Sequence, residues 1–216
     1  MIRSIGTSVL ALLFVPAVAV AQTLPTVPDP ATCVVTPRPT AFFVPLTERL
    51  SDAGATPPSL ATPQPIPAST AASDATRAEV IDLLLQAVAC TNAQDFPRFF
   101  SLFTDEGARD AVLTGWEAGL RAVQGAAAGS PATERGNAVL DAILSVGPPL
   151  PEPLRAALVD VRDVRQTDDG RVTAVVVRSL SGGGEVEAVW EFGRVDGRLR
   201  IARETVLRVV LATPAP

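Results

Sequence analysis

Proline decides where this chain can hold regular structure. Eleven of its 20 prolines fall between Pro25 and Pro67. Each removes a backbone N–H and holds φ at about −65°, so a helix cannot run through this stretch and polyproline or extended conformations are favoured. Residues 22–75 therefore read as a Pro/Thr/Ala-rich extended segment and linker. One island differs. Cys33-Val34-Val35 and Ala41-Phe42-Phe43-Val44 are apolar enough to lie against a folded domain. Ser51 to Ala72 has the composition of a true linker.

Before the proline block stands an export signal. Arg3 supplies a short positive region, Ile5 to Val15 is mostly apolar, and Ala19-Val20-Ala21 forms an A-x-A cleavage pattern ahead of Gln22. The apolar run is short and interrupted, whereas a spanning helix needs ~20 apolar residues. Residues 1–21 are expected to be removed, leaving a secreted or extracytoplasmic protein without membrane insertion. Cys33 follows Pro30-Ala31-Thr32, which does not resemble a lipoprotein cleavage site. In an oxidising compartment the two cysteines, Cys33 and Cys90, are expected to pair as a disulfide.

Composition removes several chemistries. The chain has no His and no Tyr, and all 18 basic residues are Arg. A Ser-His-Asp arrangement and Lys Schiff-base chemistry are therefore excluded. Two thiols without His make a poor metal set, so no metal is expected. Loss of residues 1–21 removes one Arg and none of the 23 acidic residues, leaving a net charge of −6. That balance offers no basic footprint for nucleic acid. Gly182-Gly183-Gly184 joins two strand-like stretches and does not open a helix, so no dinucleotide fingerprint is present and no cofactor is expected.

Periodicity divides residues 76–211 into a helical half and a strand half, with residues 212–216 as a tail. Thr76 and Glu79 fit a capping box ahead of a helix through Val88 to about Cys90. Asp95 is placed to cap a short helix carrying Pro97 in its first turn. Phe96, Phe99, Phe100, Leu102 and Phe103 form the densest aromatic cluster. Thr104-Asp105 starts a further helix past Trp116, and Ser130-Pro131 another. Then the period changes to two. Val159 and Val161 alternate with charge. Val172 to Val177 reads as a strand buried on both faces. Val186, Ala188, Trp190 and Phe192 alternate with Glu185, Glu187, Val189 and Glu191. Asp168-Asp169-Gly170 and Asp196-Gly197 mark hairpin turns. Helices followed by an antiparallel meander define an α+β fold, with N-terminal helices packed on one face of a curved sheet.

Two stretches resemble the NTF2-like superfamily of cone-shaped α+β domains. One is Ala89-Cys90-Thr91-Asn92-Ala93-Gln94-Asp95, continuing through Phe99 to Leu102 and then Phe103-Thr104-Asp105. The other contains the turns Asp169-Gly170-Arg171-Val172 and Asp196-Gly197-Arg198-Leu199. The family often carries Trp after the second turn, where this chain has Leu199. The resemblance covers about Thr76 to Leu211 and implies a cone with an apolar pocket between sheet and helices. Family enzymes often use Tyr, His and Asp there; with neither Tyr nor His, no catalytic residue carries over.

Alternation assigns the inner lining. The sheet contributes Trp190 and Phe192, with Val186 and Ala188, and then Leu199 and Ile201. Leu84, Val88, Phe99, Phe100 and Phe103 are expected opposite. Glu185, Glu187 and Glu191 fall on the other, wet face, paired with arginines such as Arg178, Arg200 and Arg203. No carboxylate is assigned to the inner face. Asp95 and Asp105 read as helix caps, and Trp116 and Trp190 as core. The leading reading is an exported, non-enzymatic binding or accessory module for a small apolar ligand; a dimer is compatible with it. Two alternatives stay open, a cofactor-free lyase or isomerase using a buried carboxylate, and a structural envelope-associated domain. The export signal carries its own test. Intact-mass measurement of exported protein should give a chain beginning at Gln22; a mass that retains residues 1–21 would refute the cleavage.

Overall fold

A computed structural model of the chain describes residues 27–46, 69–112, 141, 144–179 and 184–210. The signal, most of the linker, Trp116, the expected extension past residue 112 and the start at Ser130 lie outside the described residues. Within them the chain is α+β. Five strands form one antiparallel sheet in sequence order: β1 (Ser69–Ala71), β2 (Leu158–Thr167), β3 (Val172–Ser179), β4 (Glu185–Val195) and β5 (Arg198–Val210). Helix α1 (Asp74–Asn92) and the short helix α2 (Phe96–Ser101) come before the four long strands. Residues 105–112 are helical as well.

Helix α1 starts three residues earlier than the capping-box reading. Its N-cap is Ser73, whose hydroxyl accepts from the Thr76 N–H at 3.2 Å. Ser73 satisfies one of the orphan N–H groups of the first turn, so Thr76 sits inside the helix and Glu79 is released from capping. Buried positions Thr76, Val80, Leu84, Ala87 and Val88 recur at three- and four-residue spacing and face the sheet. Just upstream, β1 pairs with β2 through Ser69↔Thr167 and Ala71↔Arg165. A strand thus lies inside the stretch whose composition reads as linker.

Bulges curve the sheet. Register shifts occur between Leu158 and Asp160, between Arg162 and Arg165, at Glu187/Ala188 and at Glu191/Phe192. Each extra residue bends its strand and strengthens the local twist. Asp163, at φ 51°, sits in the second of these shifts, and the two shifts in β2 together break its simple alternation: Val159 is exposed while Val161 and Val164 are buried. In β3 one face is buried from Val172 to Val176 and ends in half-buried Arg178, and the other is half-buried apart from Val177, which is buried. The β4–β5 hairpin closes through Asp196 and Gly197, at φ 50° and 77°, between the paired residues Val195 and Arg198. Two successive positive φ values define the turn type whose twist suits a two-residue hairpin.

Glu79 ties α1 to that hairpin. Its carboxylate accepts from the Leu199 N–H at 2.9 Å and from both terminal nitrogens of Arg194 at 2.9 and 3.2 Å. Partial desolvation opposes its charge, but the Leu199 N–H and the Arg194 guanidinium outweigh it and hold the carboxyl below its ordinary 4.5.

The edge of β5 is covered near its start. Ile201 donates to Leu102 O at 2.9 Å and accepts from Thr104 N at 2.8 Å. Thr104, rather than Asp105, then caps the helical residues that follow, accepting from Gly107 N at 3.0 Å. Gly107 lies so close to β5 that a Cβ there would stand 2.6 Å from Ala202 O and 2.7 Å from Ile201 O.

The apolar island does dock. Cys33 is bonded to Cys90 at the end of α1, with Cα atoms 4.8 Å apart. Phe43 is wholly buried and Leu46 nearly so, both within the main core. Arg38 fastens the strap between them. Its Nε donates to Phe100 O at 3.1 Å, one terminal nitrogen donates to Phe103 O at 2.7 Å, and the other pairs with Asp105 at 2.6 Å. Its guanidinium also lies 4.2 Å from the Phe42 ring centroid. At the same end of α1, buried Asn92 acts as a two-point backbone substitute. It donates to Ala156 O at 3.0 Å and accepts from Ala156 N at 2.8 Å, fixing the approach to β2.

Two outcomes follow from these ties. Replacing both cysteines by Ser should lower unfolding stability by about 4 kcal/mol on the chain-entropy model for a loop of this length, read from the denaturant midpoint; an unchanged midpoint would show that the covalent bond contributes nothing. For Glu79, the folded value lies below the unfolded one. Its stabilisation is therefore complete above about pH 4.5 and disappears as pH falls through the lower folded value. Glu79→Gln should be less stable than the parent chain at neutral pH, and the two should converge as pH falls through the lowered folded value. A gap that persists in acid would assign the effect to packing.

Candidate functional site

The inner face of the sheet meets α1 and α2 around a half-open cavity. Leu84, Ala87, Val88 and Thr91 line it from α1, and Phe99 from α2. Leu158, Val176, Arg178 and Trp190 line it from β2, β3 and β4. Its volume is about 20 Å³, well under the ~300 Å³ at which pockets for drug-sized ligands begin. The space admits one small group.

The strand residues arrive there by register. Arg178 lies opposite Leu158 on one side and Val186 on the other. It continues the inward series Val172, Ala174, Val176, so it belongs to the inner face and not to the wet face with the glutamates. Trp190 follows Val186 and Ala188 on β4 and is 4% exposed. Its ring is stacked toward Phe192 with centroids 6.5 Å apart, and the Arg178 guanidinium carbon lies 6.0 Å from its centroid.

A carboxylate also reaches this face, against expectation. Glu204 is the register partner of Trp190, and it pairs with Arg178 at 2.8 Å. Counting by twos from Ile201 puts Arg203 inside and Glu204 outside. The bulge at Glu191/Phe192 reverses that: Ile201 pairs with Phe192 and Arg203 with Glu191, so Glu204 turns inward.

Polar satisfaction in the site is uneven. The Thr91 hydroxyl donates to Ala87 O at 2.9 Å, and one Arg178 terminal nitrogen donates to Glu204. Arg178 Nε and Trp190 Nε1 are buried with no hydrogen-bond partner among the described residues. Both are donors only. A buried donor left unpaired costs about 1–3 kcal/mol, so the site carries a standing penalty that an acceptor would relieve.

Of the nine residues assigned to the pocket, Leu84, Val88, Phe99 and Trp190 line the cavity. Phe100, Phe103, Phe192, Leu199 and Ile201 are buried in the core instead. The physical reason is the strap. Phe43 lies 5.7 Å from Phe100 between ring centroids and fills that end, and Phe103 bridges directly to Ile201. The glutamates of β4 do face away from the cavity, but their partners differ from those expected. Glu187 pairs with Arg162 and, at 3.2 Å, with Arg208. Arg200 instead donates to Ser101 O at 2.9 Å. Asp95 caps α2, accepting from Arg98 N at 3.1 Å.

Among the described residues no group of three or more His, Cys, Asp or Glu is arranged to hold a metal ion. None of their helices is long and apolar enough to cross a membrane. The Cys33–Cys90 bond fits an extracytoplasmic location.

No family model matches the chain, and no curated protein does. Among solved structures, Aln2 from a Streptomyces species shows a weak likeness of fold, covering 64% of this chain and 94% of its own at 19% identity and a TM-score of 0.39. Likeness at that level transfers neither a family nor an activity.

Proposed function

We propose that the chain is an exported NTF2-like binding module whose inner-face cavity takes one end of a small apolar molecule without chemical turnover. The observation that carries this reading is the cavity itself. It opens between helix and sheet, its walls are Leu84, Val88, Phe99 and Val176, and its polar contribution comes from Arg178 and Trp190. The NTF2-like assignment is supported by the order of elements, two helices followed by a bulged antiparallel meander with α1 laid across its inner side. Burying the apolar part of the ligand against Leu84, Val88 and Phe99 contributes at ~25 cal/mol per Å² removed from water. The small enclosed volume means that the remainder of the ligand lies along the opening.

That same volume favours a second reading, a structural envelope-associated domain whose interior is simply filled. Glu204 is the inward carboxylate that an acid–base enzyme would need, but its pairing with Arg178 makes it part of an ion pair.

The test uses eight-carbon probes, n-octanol and octanoate, titrated into the isotope-labelled protein and followed by NMR. At least one should shift resonances of Leu84, Val88 and Phe99 with a dissociation constant below about 1 mM. Val88→Phe should abolish the shifts by filling the space. No shift with either probe would overturn the binding reading in favour of the structural one.

A further inference from the structure

We infer that the cavity selects apolar monocarboxylates, with the ligand's headgroup oxygens accepting from Trp190 Nε1 and Arg178 Nε. The inference rests on the binding reading above and narrows it to one ligand class. Both nitrogens are buried and without an acceptor among the described residues, and both belong to residues that line the same cavity. Indole N–H and guanidinium N–H donate and never accept. A group with two acceptor oxygens satisfies two such donors at once.

Charge narrows the class further. A guanidinium prefers an ionised acceptor, because charge-assisted hydrogen bonds are shorter and stronger than neutral ones. Arg178 already gives one terminal nitrogen to Glu204 at 2.8 Å, and its Nε is still unpaired. The site therefore holds one cation, one anion committed to it, and two unused donors. A protonated amine would bring a second cation beside Arg178 and supply no acceptor for the two unused donors. An alcohol has a single oxygen to serve two N–H groups. A carboxylate supplies both acceptors and, as a compact head, matches the roughly 20 Å³ available. Its tail then runs along Leu84, Val88 and Phe99.

Glu204 makes the inference sharp. Its charge competes with the ligand for Arg178, so neutralising it should strengthen carboxylate binding while leaving a neutral probe unaffected. A purely structural Arg178–Glu204 pair predicts no such difference.

The experiment compares octanoate, n-octanol and n-octylamine on the purified protein, reading the Trp190 indole ¹H–¹⁵N resonance, identified by its loss in Trp190→Phe. Octanoate should bind about tenfold more tightly than octanol, by the difference between charged and neutral hydrogen bonds. It should move the indole proton downfield, and octylamine should not bind. Glu204→Gln should tighten octanoate binding severalfold and leave octanol unchanged, whereas Arg178→Met should remove the preference. Equal affinity for octanoate and octanol with an unmoved indole resonance would overturn the carboxylate inference and leave the binding reading standing. If neither binds, the binding reading itself falls. The comparison of probes on the unmodified chain decides the matter even if a variant fails to fold.

Discussion

The Cys33–Cys90 bond joins a segment with little regular structure of its own to the helix end around which the rest of the molecule is organised. Cys90 closes the last turn of α1, two residues before Asn92, and both are fully buried. On one side of this junction the strap brings Phe43 and Leu46 into the core. On the other, Asn92 holds the chain leading into β2. A proline-rich segment forms few backbone hydrogen bonds, so ordering it must be offset elsewhere. Here a covalent bond, a buried aromatic ring and the three hydrogen-bonding nitrogens of Arg38 do so together. Arg suits that position because its planar fork reaches two carbonyls and a carboxylate at once.

Occupation by the strap decides where open space remains. The aromatic chain from Phe42 through Phe43, Phe100 and Phe99 to Phe103 packs one end of the interior, with centroid separations of 5.0 to 5.7 Å between successive rings. The cavity lies on the far side of Phe99, beside Thr91 and Leu158, and no residue of the strap lines it. Arg178 of β3 and Glu204 of β5 come together across β4, from strands that are not neighbours.

Local patterns were readable where only local physics operated. The α+β class, the Asp196-Gly197 turn, the inward set of β4, the Asp95 cap and the docking of the island near Cys33 all follow from spacing, turn chemistry or compartment. Legibility failed where a distant residue changed the outcome. Ser73 and Thr76 are equally good caps by type, and the choice is visible only once Glu79 is seen to bind Arg194 and Leu199, over a hundred positions away. Phe100 does not line the cavity because Phe43 packs against it, and nothing in its own spacing announces that contact. Glu204 was hidden by a bulge, since a one-residue insertion exchanges the two faces of a strand. Arg178 is a different case. Its phase with Val176 was legible, and its charge argued against burial; the ion pair with Glu204 reconciles the two.

Closure of the chain by the disulfide has a topological consequence. Every peptide bond between residues 33 and 90 lies inside a covalent ring. A protease that cuts once anywhere within it converts the protein into two polypeptides that stay attached, with the strap still anchored by Arg38 and Phe43. Shedding the N-terminal segment would therefore require reduction as well as cleavage, or a cut on the N-terminal side of Cys33. In an oxidising environment a nicked molecule would keep all its segments and its hydrodynamic size, and the damage would separate them only when the thiols were released.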